Sequence, residues 1–470
     1  MKYLLFTLGL LLAGCAPDIK PGALALKHVD LPKKLTESNP AVEPSNMTLP
    51  ESWWVEFHDS DLNHLVDMAL SGNPGLKVAK ARLELAQASV MTSHSLTSIH
   101  ANNVTEITKQ RKSKNGANSI YSGRTMTIGD VALPTVNYHL DLWHSDSELI
   151  ASNQSAEQME AAQLRQSALM LSAAVIKTYF ALNTVKQLIS VQTEVVNLIK
   201  DELNIQDAAF QAGLQPALPL VTQRTNLLDA RNALALLQMR SDILRFSLME
   251  LLGKKPQDTL PELSDEATIP NRFRIPQRID LNLIAQRPDI QAALWNIQRS
   301  SHLEKVAHAA FYPNINLHAL TGFNSIGLSK LFVPGGFAYA FGPAINLPLF
   351  EGGYLVGKLH ESEATYDMAV HKYNKAVFAA IRQITDAFAT LQYTRVQLDN
   401  RVSSLELKTS QKHMAESGFR AGITSKLPFL KATIHMDREK MAYMEESLNW
   451  LNSITDAATA LGGGFGKRSL

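Results

Sequence analysis

The sequence predicts a mainly helical protein in which each of two similar halves adds a pair of strands to a membrane barrel. Three observations predict it. First, Phe210, Ala212, Gly213, Leu218, Pro219, Leu252 and Gly253 return 209 positions later as Phe419, Ala421, Gly422, Leu427, Pro428, Leu461 and Gly462. Second, residues 135–212 and 358–417 contain neither Gly nor Pro, and 33 residues equally free of both separate each repeated Pro from the following repeated Gly. Gly and Pro are the main interrupters of helix, so each half reads as a very long helix, a tight turn and a second long helix. Third, each half carries segments that alternate residue by residue, the signature of a strand with two unlike faces.

Before the first half, Lys2 and the apolar run Leu4–Leu12 lead into Leu12-Ala13-Gly14-Cys15. This resembles a bacterial lipoprotein signal, whose cysteine becomes the lipidated first residue of the mature chain. Cys15 is the only cysteine, so no disulfide forms within the chain. Ala16 follows it, where an Asp would favour retention in the inner membrane, and the outer membrane is the expected destination. Past this point no run of eighteen apolar residues occurs, so any crossing must be made by strands of a barrel.

The expected organisation is a signal over 1–14, a lipid-anchored extended strap over 15–50 and a first repeat over 51–253. A Pro-rich linker over 254–282, a second repeat over 283–464 and a short tail over 465–470 follow. Asn73-Pro74 and Arg287-Pro288 mark helix starts at matching places in the two repeats. In the first half, Val136, Tyr138, Leu140 and Leu142 alternate with Asn137, His139 and Asp141. In the second, Asn314–His318 alternates, and Phe337, Tyr339 and Phe341 alternate with small residues. The large apolar set Val136, Tyr138, Leu140, Phe337, Tyr339 and Phe341 is expected to face lipid. Two hairpins give four strands, too few to close a barrel, and open edges are intolerable in hydrocarbon. Three copies would give twelve strands and six helical hairpins. In the second long helix Ala369, Tyr373, Ala376, Ala380, Ile384, Ala387 and Leu391 are spaced at close to 3.67 residues per turn, which favours nearly straight helices laid side by side.

Together these features resemble the TolC-like outer membrane efflux proteins, most closely their NodT-like lipoprotein branch. The residues that carry the resemblance are Trp53-Trp54 with Phe57, Leu140-Asp141-Leu142-Trp143 and Gln286–Ile290. Ala310–Pro313, Leu347–Gly353 and Leu461–Gly464 complete the set. The resemblance implies a homotrimer: a twelve-stranded outer-membrane barrel continued by a periplasmic α-barrel of long helical hairpins. It implies docking on a periplasmic membrane-fusion adaptor and an inner-membrane pump, commonly of the resistance-nodulation-division type. It places Gly213, Leu214, Gly422 and Ile423 at the periplasmic tip that meets the adaptor. Many relatives carry acids soon after the tip glycine. Here Lys426 and Lys431 follow Gly422, with no acid before Asp437, so an acidic gate ring is not expected.

Other chemistry is excluded or outweighed. The 45 basic and 44 acidic residues nearly cancel, leaving no electrostatic footprint for nucleic acid. No Walker-type loop or His-Glu-x-x-His occurs, and Gly462–Gly466 is followed by too few residues to open a helix. His139, Asp141 and His144 form the nearest thing to a metal-ligand set, but lumen-facing polar residues give the same pattern. Met441 and Met444 read as helix packing. No metal, cofactor or enzyme activity is assigned. The function expected is passive conduction of small toxic compounds. Type I protein secretion and a non-pore periplasmic lipoprotein scaffold are the alternatives.

Overall fold

A computed structural model describes residues 52–115, 120–259 and 284–463, together with the backbone of short strands at 42–45 and 273–276. Cys15, the signal, most of the strap, much of the linker and the tail 465–470 lie outside the described residues. In chain order the elements are β1 (Val42–Ser45), a 3₁₀ turn (Trp53–Phe57), α1 (Ser60–Gly72), α2 (Pro74–His94), β2 (His100–Arg111) and β3 (Thr125–Leu140). Next come α3 (Ser145–Gln211), α4 (Ala217–Leu251), β4 (Phe273–Pro276) and α5 (Pro288–Ala309). The chain continues through β5 (Asn314–Ile326), β6 (Phe337–Asn346), α6 (Tyr354–Arg420) and α7 (Lys426–Ala460).

The repeat is kept to the residue. Helices α3 and α6 are each 67 residues long, and α4 and α7 are each 35. At 1.5 Å per residue, 67 residues reach roughly 100 Å. Each helix of a hairpin ends in the same way. Leu214 N–H donates to Ala209 C=O and Gly213 N–H to Phe210 C=O, both at 2.9 Å, and Gly213 sits at φ 73°. Ile423 and Gly422 repeat these bonds onto Gly418 and Phe419. Lys254 and Gly253, then Gly463 and Gly462, close α4 and α7 identically. A left-handed residue satisfying the last carbonyls is the Schellman stop, and L side chains resist that backbone.

Two compact units emerge from the packing. One comprises His28–Ala81, Ala162–Gln291 and Lys375–Leu470. Its core holds Trp53, Phe57, Tyr179, Phe180 and Trp450, all nearly inaccessible. Asp59 caps α1 through Leu62 N–H at 2.9 Å, and its second oxygen accepts from the Tyr179 hydroxyl at 2.7 Å. The residues preceding Pro74 and Pro288 do matching work with different chemistry. Asn73 accepts from Leu76 N–H and donates through Nδ2 to Leu251 C=O at 2.9 Å. Arg287, buried, donates to Ala460 C=O at 2.6 Å, which lies 209 positions beyond Leu251. It also binds Asp289 through two nitrogens, at 3.0 and 2.7 Å, and Gln383 at 2.7 Å. In this unit β1 also pairs in parallel with β4, joining strap to linker, a link absent from the sequence reading.

Arg82–Ala161 and Ala292–Asn374 belong to the other unit, which holds a four-stranded sheet in the order β2-β3-β5-β6, antiparallel throughout. In the same unit Ile297 of α5 packs with Ala369 and Val370 of α6. The four strands of this sheet agree with expectation, but β3 ends at Leu140, so Leu142 leaves the alternation. The cause is Asp141, whose oxygens accept from Asp146 and Ser147 N–H at 3.0 and 2.9 Å and turn the chain into α3. One stretch of α3 reaches a mean hydropathy of 1.4, enough by length and composition to cross a membrane. The run-of-eighteen criterion passed over it, and 56% of the stretch is buried inside the chain, as befits a packed helix.

Arg287→Ala is expected to destabilise by about 3 kcal/mol, because it strands a buried carbonyl and leaves Asp289 without its partner. Asn73→Ala should cost about 1 kcal/mol, a neutral cap and one hydrogen bond. Thermal unfolding of the two variants in detergent checks this, and equal losses would contradict it.

Candidate functional site

In an antiparallel ladder, directly opposed residues share a face, so register sorts every side chain. Val136 opposes Ala319, which opposes Phe341; Tyr138 opposes Leu317; Leu140 opposes Ile315, which opposes Ile345. Farther along, Tyr339 opposes Thr321, and Phe337 opposes Phe323, which opposes Val131. All six residues singled out from the sequence therefore lie on one face, with further apolar neighbours. Phe323, Phe337, Tyr339 and Phe341 form a ladder of ring contacts at 6.1–6.4 Å on this face. Phe341 is 79% exposed.

The other face is mixed, with polar and small residues running beside Val104, Met126, Ile128, Leu320 and Ile326. Across it run His100, Asn137, His318 and Gly342 in one row and Glu106, Asp130 and Asn324 in another. Strand β6 contributes only Ala338, Ala340, Gly342, Ala344 and Asn346 there. From Ile315 to Phe323 the apolar face of β5 spans nine residues, about 26 Å at 3.3 Å per step. Tilted by about 40°, that rises about 20 Å along the membrane normal, most of the apolar band of about 25 Å on outer-membrane barrels. Strand β2 and strand β6 are both edges with one unpaired side.

Where β3 meets α3, charge is concentrated and mostly satisfied. His139 hydrogen-bonds Asp146, so it is not poised beside Asp141 as a ligand pair. No group of three His, Cys, Asp or Glu side chains among the described residues is arranged to hold a metal. Burial alone would raise Asp141, but hydrogen bonds from Asp146 and Ser147 outweigh it and hold the carboxyl below its usual range. Glu148 is likewise held low: burial opposes, and His302 with Lys305 prevails. Glu304 of α5 is the contrast. It is 7% exposed, and burial, reinforced by Glu363 and Asp367, raises its carboxyl above the usual range while His308 partly offsets this.

At the hairpin turns, Gly213 and Gly422 take φ of 73° and 68°, and a Cβ on either would touch nothing within 4 Å. Conformation alone therefore explains these glycines. Leu214 and Ile423 beside them are 79% and 80% exposed. Phe419 stacks on Phe429 across the second turn at 6.1 Å. Lys426 and Lys431 reach Asp201 and Glu202 of α3 at 3.5 and 3.7 Å. Those lysines read from the sequence as a departure after the turn; the structure pairs them with acids more than 200 residues away, which no local pattern could disclose. Sequence reasoning also missed β2, where Val104 and Ile107 are the only large apolar residues in a polar run.

The chain matches the family described as "Outer membrane efflux protein" over residues 65–254 and 282–463. It is 27% identical over 466 residues to the multidrug resistance outer membrane protein MdtP of Escherichia coli K12, covering 97% of this chain and 94% of MdtP. Its structure resembles the Campylobacter jejuni CmeC outer membrane channel with a TM-score of 0.87 at 22% identity, over 96% of this chain and 95% of CmeC. The outer-membrane channel OprN gives a TM-score of 0.82 at 22% identity, over 96% and 99% of the two chains.

The raised carboxyl of Glu304 gives a signed expectation. A carboxyl that is harder to ionise folded than unfolded contributes stability that is complete below the unfolded value of 4.5 and lost as pH rises through its folded value. Glu304→Gln should therefore raise the unfolding temperature at pH 7 to 8 and leave it nearly unchanged at pH 4. An equal shift at both pH values would refute the assignment.

Proposed function

Because the chain belongs to the outer membrane efflux protein family, we propose that three copies close one twelve-stranded barrel whose six helical hairpins line a tunnel through the periplasm. The protein is an outer-membrane efflux channel. One observation carries the trimer: a four-stranded sheet with one apolar face, one mixed face rich in polar and small residues, and two open edges. Such a sheet cannot stand alone in hydrocarbon, where no water satisfies edge N–H and C=O groups. Val136, Tyr138, Leu140, Phe337, Tyr339 and Phe341 then face lipid, and the row of His100, Asn137 and His318 faces the lumen.

Conduction needs no bond chemistry; an energised partner supplies the driving force, and this chain supplies a walled path. MdtP is named for multidrug resistance, which supports small toxic compounds as cargo rather than secreted protein. A periplasmic membrane-fusion adaptor meets the tip at Gly213, Leu214, Gly422 and Ile423, and an inner-membrane pump of the resistance-nodulation-division type feeds it. Exposed Leu214 and Ile423 give the adaptor two small apolar contacts per copy on rigid Schellman turns. Lipidation at Cys15 holds the strap to the outer membrane.

Purified protein should show a mass of three chains in detergent and stepwise conductance in planar bilayers. Cysteines at Leu214 and Ile423 should crosslink to an adaptor in cells. A conducting trimer that gives no adduct from either position would remove the tip assignment and leave the channel intact. A monomer without conductance would remove the trimer.

A further inference from the structure

The β2–β3 hairpin ends in a concentration of cations that conduction does not use. Between Glu106 and Asp130 there is no acid, yet Lys109, Arg111, Lys112, Lys114 and Arg124 fall in this stretch of a chain whose net charge is +1. All five are exposed, and no ion pair among the described residues holds any of them. Register fixes where two of them sit. Ile107 opposes Gly129, Lys109 opposes Thr127 and Arg111 opposes Thr125, so all three side chains lie on the face that carries Val131, Phe323 and Phe337. That face changes from apolar to cationic in one step, between Ile107 and Lys109. The hairpin also lies at the strand ends away from α2 and α3. The Lys114 stem lies over Gly123, where a Cβ would meet its methylenes at 2.7 Å.

We infer that this cationic crown binds the phosphates of lipid headgroups in the outer leaflet. The inference rests on the trimeric barrel proposed above, which turns the apolar face to lipid and the hairpin ends outward. Lys109 and Arg111 then stand where hydrocarbon gives way to headgroups, at the depth of anionic phosphate. Lysine and arginine offer several charge-assisted donors each, the chemistry phosphate oxygens accept, and basic clusters at a bilayer surface recognise anionic lipid. Guarding a free strand edge is the other use of such lysines. It does not account for Arg124, which immediately precedes the inner strand β3, or for Lys112 and Lys114, all three beyond the ladder.

The test uses the purified full-length protein in detergent, titrated with bisphosphorylated lipid A and, separately, with enzymatically dephosphorylated lipid A. Bound lipid is counted by native mass spectrometry. Wild type should bind the phosphorylated lipid at least tenfold tighter than Lys109→Gln/Arg111→Gln/Lys112→Gln/Lys114→Gln, while the dephosphorylated lipid binds both alike. Excess inorganic phosphate should not displace the lipid. Equal affinity in the variant, indifference to the lipid phosphates, or displacement by inorganic phosphate would each overturn the inference. Conductance in phosphatidylcholine bilayers separates the two readings: a variant that conducts normally isolates the crown, whereas a wild type that neither assembles nor conducts indicts the barrel. Should the fourfold variant fail to assemble, Lys109→Gln/Arg111→Gln alone is expected to weaken binding at least threefold, and no weakening would overturn the inference equally.

Discussion

Hydrocarbon offers no partner to a backbone N–H or C=O, and this constraint organises the molecule. Strands β3 and β5 are paired on both sides, whereas β2 and β6 each keep one unpaired row. The faces set the terms of a solution. One face carries Val136, Tyr138, Leu317, Phe337 and Phe341, and the other mixes Asn, His and small residues with Ile128, Leu320 and Ile326. A sheet with such faces and open edges is completed by more sheet of the same kind, and identical neighbours supply it without new sequence.

The helical half of the architecture rests on duplication carried out at the level of hydrogen bonds. Four helix ends close with the same pair of bonds, and α3, α4, α6 and α7 keep equal lengths across the 209-residue shift. Where the repeats diverge in residue type, the bonding duty survives. Asn73 and Arg287 both secure the last carbonyl of a hairpin, but Arg287 adds a bidentate contact to Asp289 and a bond to Gln383. The second repeat thus braces its joint with a buried charge where the first uses a neutral amide.

What could be read in the sequence was what physics writes locally. Long stretches without Gly or Pro gave the helices, because breaking a helix takes one of those residues or a cap. Gly213 and Gly422 were legible because a left-handed stop favours glycine. The alternation of Phe337, Tyr339 and Phe341 was legible because neighbours were small. Strand β2 was not: Asn102, Asn103, Glu106 and Lys109 break up the alternation and leave Val104 and Ile107 as its only large apolar residues. Leu142 looked like strand because period two cannot see Asp141 capping the next helix. Pairing of Lys426 with Asp201, of Lys431 with Glu202 and of β1 with β4 needed the folded chain, since each joins segments more than 200 residues apart. The buried Glu304 was equally silent, as its environment is made by Glu363 and Asp367 on another helix.

The most direct test of the central claim asks what lies beside the open edges. Single cysteines scanned along β2 are combined in one chain with a cysteine on β6, and the assembled protein is oxidised in lipid. At one register a ladder of linked chains that stops at three is expected, with conductance retained. Conducting protein in which every pair gives only unlinked or internally bridged single chains would contradict it.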